Sequence, residues 1–350
     1  MGVADASDSR LAALTAWVVE CLGFTQSLIE PASADASFRR YFRLTRAADT
    51  YIVMDAPPDK EDLAPFIGVA RSLKSMGLNV PVVLARDETQ GFLLLSDLGT
   101  RQYLDELNAN REVDRLYADA LSALVTLQTK GESAAREVPP YDRALLLREM
   151  ELLPEWFMQR HLGVTLGGAE RAVLDRVFEA LARAALEQPS VFVHRDYHSR
   201  NLLLCAEDNP GILDFQDAVR GPVTYDAVSL LKDCYVAWPG ERVHEWLLMY
   251  RRQLQDAGFA LAGDERAFVR WFDLMGLQRH IKVLGIFARL FYRDGKAGYL
   301  KDLPRVLDYV RATAGAYPET AELAAFVSTH IDAQFAAAQA RVLGAIGSTR

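Results

Sequence analysis

The run His194-Arg195-Asp196-Tyr197-His198-Ser199-Arg200-Asn201, followed by Gly211-Ile-Leu-Asp214-Phe215-Gln216-Asp217, constrains this chain more than any other feature. It lies in an island of strand formers, Val191 to Phe215, inside a sequence otherwise patterned as helices. A loop between short strands aims side chains at one point only when a rigid frame holds both of its ends. The frame predicted from apolar spacing is helical, over 111–130, 141–160, 168–188, 224–236, 241–257, 265–292 and 317–345.

The first hundred residues have a different character. Leu11, Leu14, Val18 and Leu22 predict a helix over 10–22 that Gly23 can close. Short runs rich in strand formers follow at 38–44, 51–54, 80–84 and 91–95, with a helix over 61–76 between the second and third. Ser96-Asp97-Leu98-Gly99 reads as a hinge. The expected organisation is a small sheet-bearing lobe over 1–97 and a larger helical lobe over 98–350. A length of 350 residues suits two such domains at about 150 residues each. With 50% hydrophobic and 25% charged residues, the chain is neither disordered nor a disulfide scaffold.

The loop residues have a definite chemistry. Asp196, just past a strand, can accept or orient the proton of an attacking hydroxyl. Asn201 offers a neutral oxygen and Asp214 an anionic one. Magnesium favours hard oxygen ligands and shares its coordination shell with phosphates, so this trio suits phosphoryl transfer from a nucleotide. His194 and His198 have the i, i+4 spacing of zinc ligands, but that spacing converges only on a helix, and strands bound this stretch. His194 is expected to shape the loop by internal hydrogen bonding.

On these residues the chain resembles the aminoglycoside phosphotransferase and choline kinase family. The loop and Leu213-Asp-Phe-Gln-Asp217 lie close together, and Gln216 stands where protein kinases carry a glycine. Gly221-Pro-Val-Thr-Tyr-Asp226 follows directly, without a long activation segment or Ala-Pro-Glu. The resemblance is closer still to one branch, the cell-wall-recycling kinases that phosphorylate N-acetylmuramate and N-acetylglucosamine at the anomeric hydroxyl. It runs through Asp35-Ala-Ser-Phe-Arg-Arg-Tyr-Phe-Arg43, Met54-Asp-Ala-Pro-Pro58, Gly91-Phe-Leu-Leu-Leu95, Asp97-Leu-Gly99, Pro154-Glu-Trp156, Asp214-Phe-Gln-Asp-Ala218 and Gln278-Arg-His-Ile-Lys282. It implies an α+β, protein-kinase-like bilobal fold with a small β-rich N-lobe and a larger, mainly helical C-lobe. It also implies ATP and Mg2+ as cofactors, with Asp196 catalytic and Asn201 and Asp214 holding the metal. In the family an aspartate in the position of Asp226 braces the catalytic loop.

The nucleotide side departs from the family. No Gly-x-Gly-x-x-Gly is present, and the corresponding turn is Ser33-Ala-Asp-Ala-Ser37, with Ser37 and Phe38 as candidate nucleotide-binding residues. The third strand, Tyr51-Ile-Val-Met54-Asp55, lacks the usual lysine. A cation must still offset phosphate charge, and Arg43 is the candidate, with Arg39 and Arg40 behind it. Asp97 and Leu98 are candidates to present backbone groups to adenine. On the acceptor side the candidates are Glu149, His198, Arg200, Asp217 and Arg279. An anionic acceptor requires a cation, which Arg200 or the cluster Arg279-His280-Ile-Lys282 could supply.

A net charge of −8 with no long basic run excludes duplex nucleic acid as the main partner. No run approaches the ~18 uninterrupted apolar residues of a membrane span, and no signal peptide is recognisable at the N-terminus. Cys21, Cys205 and Cys234 form no Cys-x-x-Cys and read as reduced, buried thiols. The expectation is thus a cytoplasmic enzyme whose partners are a small amino sugar and a nucleotide, with no nucleic acid, membrane or obligatory protein partner. Two rivals remain. One is a phosphotransferase for another acceptor, such as an aminoglycoside, choline or homoserine. The other is a nucleotide-binding pseudokinase scaffold, favoured by the absent lysine and opposed by the intact Asp196, Asn201 and Asp214.

Overall fold

The computed structural model describes residues 8–34 and 38–347. The chain opens with α1 (Ser9–Ala16), extended by a π-helical turn over Trp17–Cys21. Then come β1 (Leu28–Ala34), β2 (Arg40–Arg46), β3 (Asp49–Asp55), α2 (Leu63–Ser75), β4 (Val83–Asp87) and β5 (Phe92–Ser96). Helices α3 (Tyr103–Asn108), α4 (Val113–Lys130), α5 (Glu132–Ala135), α6 (Arg143–Met150) and α7 (Gly168–Leu186) follow, with a π-helical segment over Leu153–Leu162. The island supplies β6 (Ser190–Val193), β7 (Leu202–Leu203), β8 (Gly211–Ile212) and β9 (Val219–Pro222). Helices α8 (Tyr225–Leu231), α9 (Gly240–Asp256), α10 (Glu265–Tyr292), α11 (Leu303–Ala314), α12 (Ala321–Phe326) and α13 (Ala333–Gly347) complete the chain.

Two compact units result, Met1–Gln102 with Leu202–Asp217, and Tyr103–Asn201 with Ala218–Arg350. The sequence suggested one cut after residue 97 and an island lying wholly in the helical part. Hydrogen bonding divides it differently. Leu204 N–H donates to Arg101 O at 2.7 Å and Ile212 N–H to Asn79 O at 2.8 Å, which ties the β7–β8 hairpin into the first unit. Strands β6 and β9 pair with each other in the second.

In the first unit the antiparallel sheet has the order β1-β2-β3-β5-β4. Strand periodicity of two sorts its faces. Phe42, Leu44, Val53, Phe92 and Leu94 pack against Leu14, Trp17 and Val18 from the N-terminal helix. Tyr41, Arg43, Ile52 and Met54 alternate with them along β2 and β3 and so occupy the other face. Strand β1 escaped the sequence reading because Pro31 interrupts its pattern, and the register with β2 shifts between Pro31 and Ser33. On the helix-covered face Asp55 is fully buried, its carboxylate held by Arg10 and Arg40. A buried carboxylate is tolerated only when paired, so the position that looked like a departure at the end of β3 is an internal ion cluster.

The second unit is built around α10, whose residues from Leu274 to Leu284 are all buried. That helix packs on the Leu153–Leu162 segment, α11 and α7. Gly285 makes the first of these contacts possible: a Cβ there would lie 2.3 Å from the backbone carbon of Leu152. All three cysteines are free, but only Cys234 is buried, whereas Cys21 is exposed and Cys205 half-buried, contrary to the expectation of three buried thiols. Helix α11 was missed because the sequence reading stopped at Tyr292 and resumed at Tyr317. Among the described residues, no helix is long and apolar enough to cross a membrane.

Gly285→Ala is expected to destabilise the protein by about 1–3 kcal/mol, as for a methyl forced against backbone in a packed core. Gly298→Ala, where a Cβ meets nothing within 4 Å, is the control and should change stability little. Urea unfolding midpoints measure both, and equal shifts would count against the close helix contact.

Candidate active site

In the second unit the loop after β6 is shaped by buried anions. Asp226, at the start of α8 and fully buried, accepts His194 N–H at 2.7 Å and Arg195 N–H at 3.0 Å. Burial pushes its carboxyl up to about 7, against the two amide donors and Arg279. Arg195 sits at φ +75°, a left-handed conformation unusual for a non-glycine residue, and the paired amide bonds hold the turn there. A second aspartate, Asp233, accepts Ser199 N–H at 2.9 Å and Tyr235 N–H at 2.8 Å. His194 is buried, and its Nδ1 accepts Asp196 N–H at 3.3 Å, the internal role expected of it. Tyr197 donates its hydroxyl to Ala120 O at 2.8 Å, pinning the loop to α4.

This scaffold presents Asp196 with 42% of its side-chain surface exposed. Arg279 Nη2 lies 3.7 Å from its Oδ1. Burial alone would raise the carboxyl, but Arg279, His198, Lys282 and Arg195 outweigh it and hold Asp196 at about 2. Asn201 Nδ2 donates to Asp196 O at 3.0 Å, and Asn201 N–H to His198 O at 2.9 Å, so Asp196, His198 and Asn201 belong to one tightly turned loop. Burial lowers the His198 imidazole from its ordinary value, with Asp233 and Asp196 opposing. Arg200, in the same loop, lays its guanidinium over the Tyr235 ring at 3.9 Å.

Two residues expected at the acceptor are instead supports beneath the loop. Glu149 is buried and binds the Arg195 guanidinium, Lys282 Nζ at 2.9 Å and the Tyr141 hydroxyl. Its carboxyl stays low because Lys282 and Arg195 overcome the effect of burial. Arg279 is only 4% exposed. It donates to Arg195 O at 3.0 Å and Tyr225 OH at 3.1 Å, so its contact with the chemistry is through Asp196. Helical spacing alone could not reveal this, because α10 is buried almost all round. Sequence reasoning also missed Asp233, which carries no motif; its signal is only that an aspartate falls at the end of an apolar helix.

In the first unit Asp214 follows β8 at φ +62°, and Gln216 Nε2 donates to its Oδ1 at 2.8 Å. Phe215 is buried and meets Phe66 of α2 with ring centroids 5.0 Å apart, which anchors the strand end that carries Asp214. Asp217 is exposed. Arg43, expected as the cation for phosphate, pairs with Asp97 through Nε at 2.7 Å and Nη2 at 3.1 Å, and with Gly99 O at 3.0 Å. Its guanidinium is thus engaged by the hinge segment. Asp97 is lowered by this pairing, burial opposing. Leu98 O accepts a contact from Cys205 Sγ at 3.5 Å. Arg39 is buried and lies 3.9 Å from Glu61, whose Oε1 also accepts Phe38 N–H at 3.3 Å. Phe38 itself is 65% exposed. Ser37 lies outside the described residues, as does much of the turn from Ser33.

Asn201 and Asp214 each carry oxygens of the hard kind that magnesium takes when it is bound by one or two protein groups plus phosphates. Asp214 lies in the first unit and Asn201 in the second. Among the described residues no three His, Cys, Asp or Glu side chains form a metal cage.

Sequence comparison gives these loops a family. The model of the Phosphotransferase enzyme family matches residues 28–272, and the chain belongs to that family. An N-acetylmuramate/N-acetylglucosamine kinase of Pseudomonas putida is 47% identical over 331 residues, covering 92% of this chain and 96% of that protein. A kinase of the same description from Pseudomonas aeruginosa is 48% identical, covering 90% and 95%. Among solved structures, an ADP-bound aminoglycoside phosphotransferase superposes with TM-score 0.57 at 16% identity, covering 85% of this chain and 97% of that one. A choline kinase of Streptococcus pneumoniae superposes with TM-score 0.59 at 11% identity, covering 86% and 99%. The fold is therefore the protein-kinase-like α+β fold the sequence suggested.

The depressed Asp196 carboxyl has a testable consequence. A group held below its unfolded value of 3.8 stabilises the fold above that pH and loses its contribution as pH falls toward about 2. The stability advantage of wild type over Asp196→Asn, measured by urea unfolding, should be constant from pH 7 to 5 and shrink between pH 4 and 3. An advantage that grows on acidification would contradict the electrostatic description of the loop.

Proposed function

We propose that this protein is an ATP- and magnesium-dependent kinase that transfers the γ-phosphoryl group to the anomeric hydroxyl of N-acetylmuramate and N-acetylglucosamine. The products are sugar 1-phosphates, and the role is the recycling of peptidoglycan sugars. The observation that carries the reading is Asp196: an ionised, half-exposed carboxylate on a loop braced by Asp226 and Asp233, in a chain nearly half identical to two kinases so described.

In this reading Asp196 accepts the hydroxyl proton as the sugar oxygen bonds to phosphorus and the bond to the nucleotide's leaving oxygen breaks. Arg279 holds Asp196 ionised and oriented, and Glu149 anchors Arg195 and Lys282 below it. Asn201 and Asp214 would hold magnesium, which neutralises phosphate charge when bound. Asp97 and Leu98 serve the nucleotide base, stiffened by the Arg43–Asp97 pair. The turn bearing Ser37 and Phe38 meets the phosphates. His198, Arg200 and Asp217 face the acceptor. The protein works in the cytoplasm, where ATP is supplied and thiols such as Cys21, Cys205 and Cys234 stay reduced.

Incubation with ATP, magnesium and N-acetylmuramate, read by phosphorus NMR, should show a new sugar 1-phosphate resonance with coupling to the anomeric proton. Phosphate at another carbon, or none with either sugar, rejects the reading. Asp196→Asn should lower kcat by ~100-fold or more, in line with loss of a general base, and still bind nucleotide by calorimetry. Asp214→Ala should weaken binding of magnesium-nucleotide while leaving metal-free nucleotide binding nearly unchanged. Unaltered magnesium dependence in that variant would remove Asp214 from its role.

A further inference from the structure

We infer that Arg200 is the residue that recognises the carboxylate of an acidic sugar acceptor, and that it sets the preference for N-acetylmuramate over N-acetylglucosamine. This rests on the sugar-kinase reading above and adds the residue that distinguishes its two acceptors. The two sugars differ in one group: N-acetylmuramate carries a lactyl ether, with its carboxylate, on O3. Recognition of that difference calls for a cation near Asp196 whose charge is not already neutralised by a protein carboxylate.

The cations around the loop are mostly taken. Arg195 and Lys282 bind Glu149. Arg279 is directed to Asp196, Arg195 O and Tyr225 OH and is nearly inaccessible. Lys232 pairs with Asp273 at 2.8 Å. Arg305 pairs with Asp302 at 3.1 Å and with Cys234 O at 2.9 Å. Arg200 differs. No carboxylate lies within ion-pair distance of it among the described residues, although its charge acts on the Asp302 carboxylate that Arg305 already engages; it is half-exposed, and it stands between Ser199 and the Asn201 that bonds back to Asp196.

Its guanidinium is nevertheless held in place. It lies 3.9 Å from the Tyr235 ring centroid and 5.8 Å from that of Tyr299. Those rings are themselves packed: Tyr235 against His198 at 5.2 Å and Phe287 at 6.1 Å, and Tyr299 against Phe287 at 5.2 Å. Asp233 fixes the Tyr235 backbone. An arginine stacked on aromatic faces keeps its in-plane N–H groups for a ligand. A planar fork held in this way matches a carboxylate, and little side-chain entropy is lost on binding. The acceptor oxygen must lie within hydrogen-bond reach of Asp196, and O3 is two ring positions from the anomeric carbon, so the lactyl carboxylate calls for a cation near Asp196 but not on it, and Arg200 belongs to the same short loop.

The test is a two-acceptor comparison on the full-length protein, with KM and kcat measured for both sugars in wild type, Arg200→Gln, Arg200→Lys and Arg289→Gln. Arg289, on α10, likewise has no carboxylate within ion-pair distance among the described residues and feels Glu149, so it serves both as the rival cation and as the control for simple loss of positive charge from this unit. In Arg200→Gln the KM for N-acetylmuramate should rise tenfold or more, as for loss of a charge-assisted hydrogen bond, while that for N-acetylglucosamine moves less than threefold and both kcat values hold. Arg200→Lys, which keeps the charge but not the fork, should recover part of the loss. Arg289→Gln should keep the wild-type ratio. Equal loss for both sugars in Arg200→Gln overturns the proposal, as does a changed ratio in Arg289→Gln with none in Arg200→Gln. A wild type that phosphorylates neither sugar instead defeats the underlying reading and this proposal with it.

Discussion

The carboxylate of Asp226 receiving two successive backbone amides, those of His194 and Arg195, is the interaction on which the rest of the loop after β6 depends. Buried backbone donors must find acceptors, and a left-handed residue such as Arg195 persists only where its surroundings over-determine it. Asp226 meets both requirements from the first turn of a buried helix. Its counterpart at the other end of that helix, Asp233, grips Ser199 and Tyr235 in the same way. The loop is therefore clamped twice to α8, and Asp196 projects from a backbone whose freedom has been removed on both sides. Such pre-positioning is the form of catalysis that phosphoryl transfer needs most.

Charge is arranged as a buried network around this clamp. Glu149 neutralises Arg195 and Lys282. Arg279, also buried, reaches the loop carbonyl and the edge of Asp196. The consequence is that Asp196 remains an anion at any physiological pH, although burial works against it. An anionic carboxylate can take a proton; a neutral one cannot. The cations were conspicuous in the sequence as a basic stretch on a late helix, and the natural first reading placed them at a ligand. Burial turns Arg279 and Lys282 toward the loop's own groups, whereas Arg200 rests on the Tyr235 ring.

The first unit resolves the absent lysine differently from the way its strand pattern suggested. Three arginines stand on or beside β2, and each has an anionic neighbour: Arg39 near Glu61, Arg40 with Asp8 and Asp55, and Arg43 with Asp97. Alternation along the strand puts Arg40 on the face covered by α1 and Arg43 on the other. Asp55, one residue past the position where the lysine was sought, is part of the structural ion cluster under α1 and not of the nucleotide side.

Local sequence determined what local physics controls. Apolar spacing gave the long helices, α10 to the residue. Strand formers bounded by turns gave β2, β3 and β5 to within a few residues. The spacing of Asp196, Asn201 and Asp214 pointed to phosphoryl-transfer chemistry, and the proposed function rests on it. Tertiary structure decided what depends on neighbours remote in the chain. It placed the β7–β8 hairpin with the first unit through bonds to Asn79 and Arg101, recruited Asp233 and Glu149 as supports, and paired Arg43 with Asp97. A charged residue looks the same in a sequence whether water, a carboxylate or an aromatic ring will face it. Only packing makes that choice, and here it determines which arginines hold the loop together and which rest on an aromatic ring.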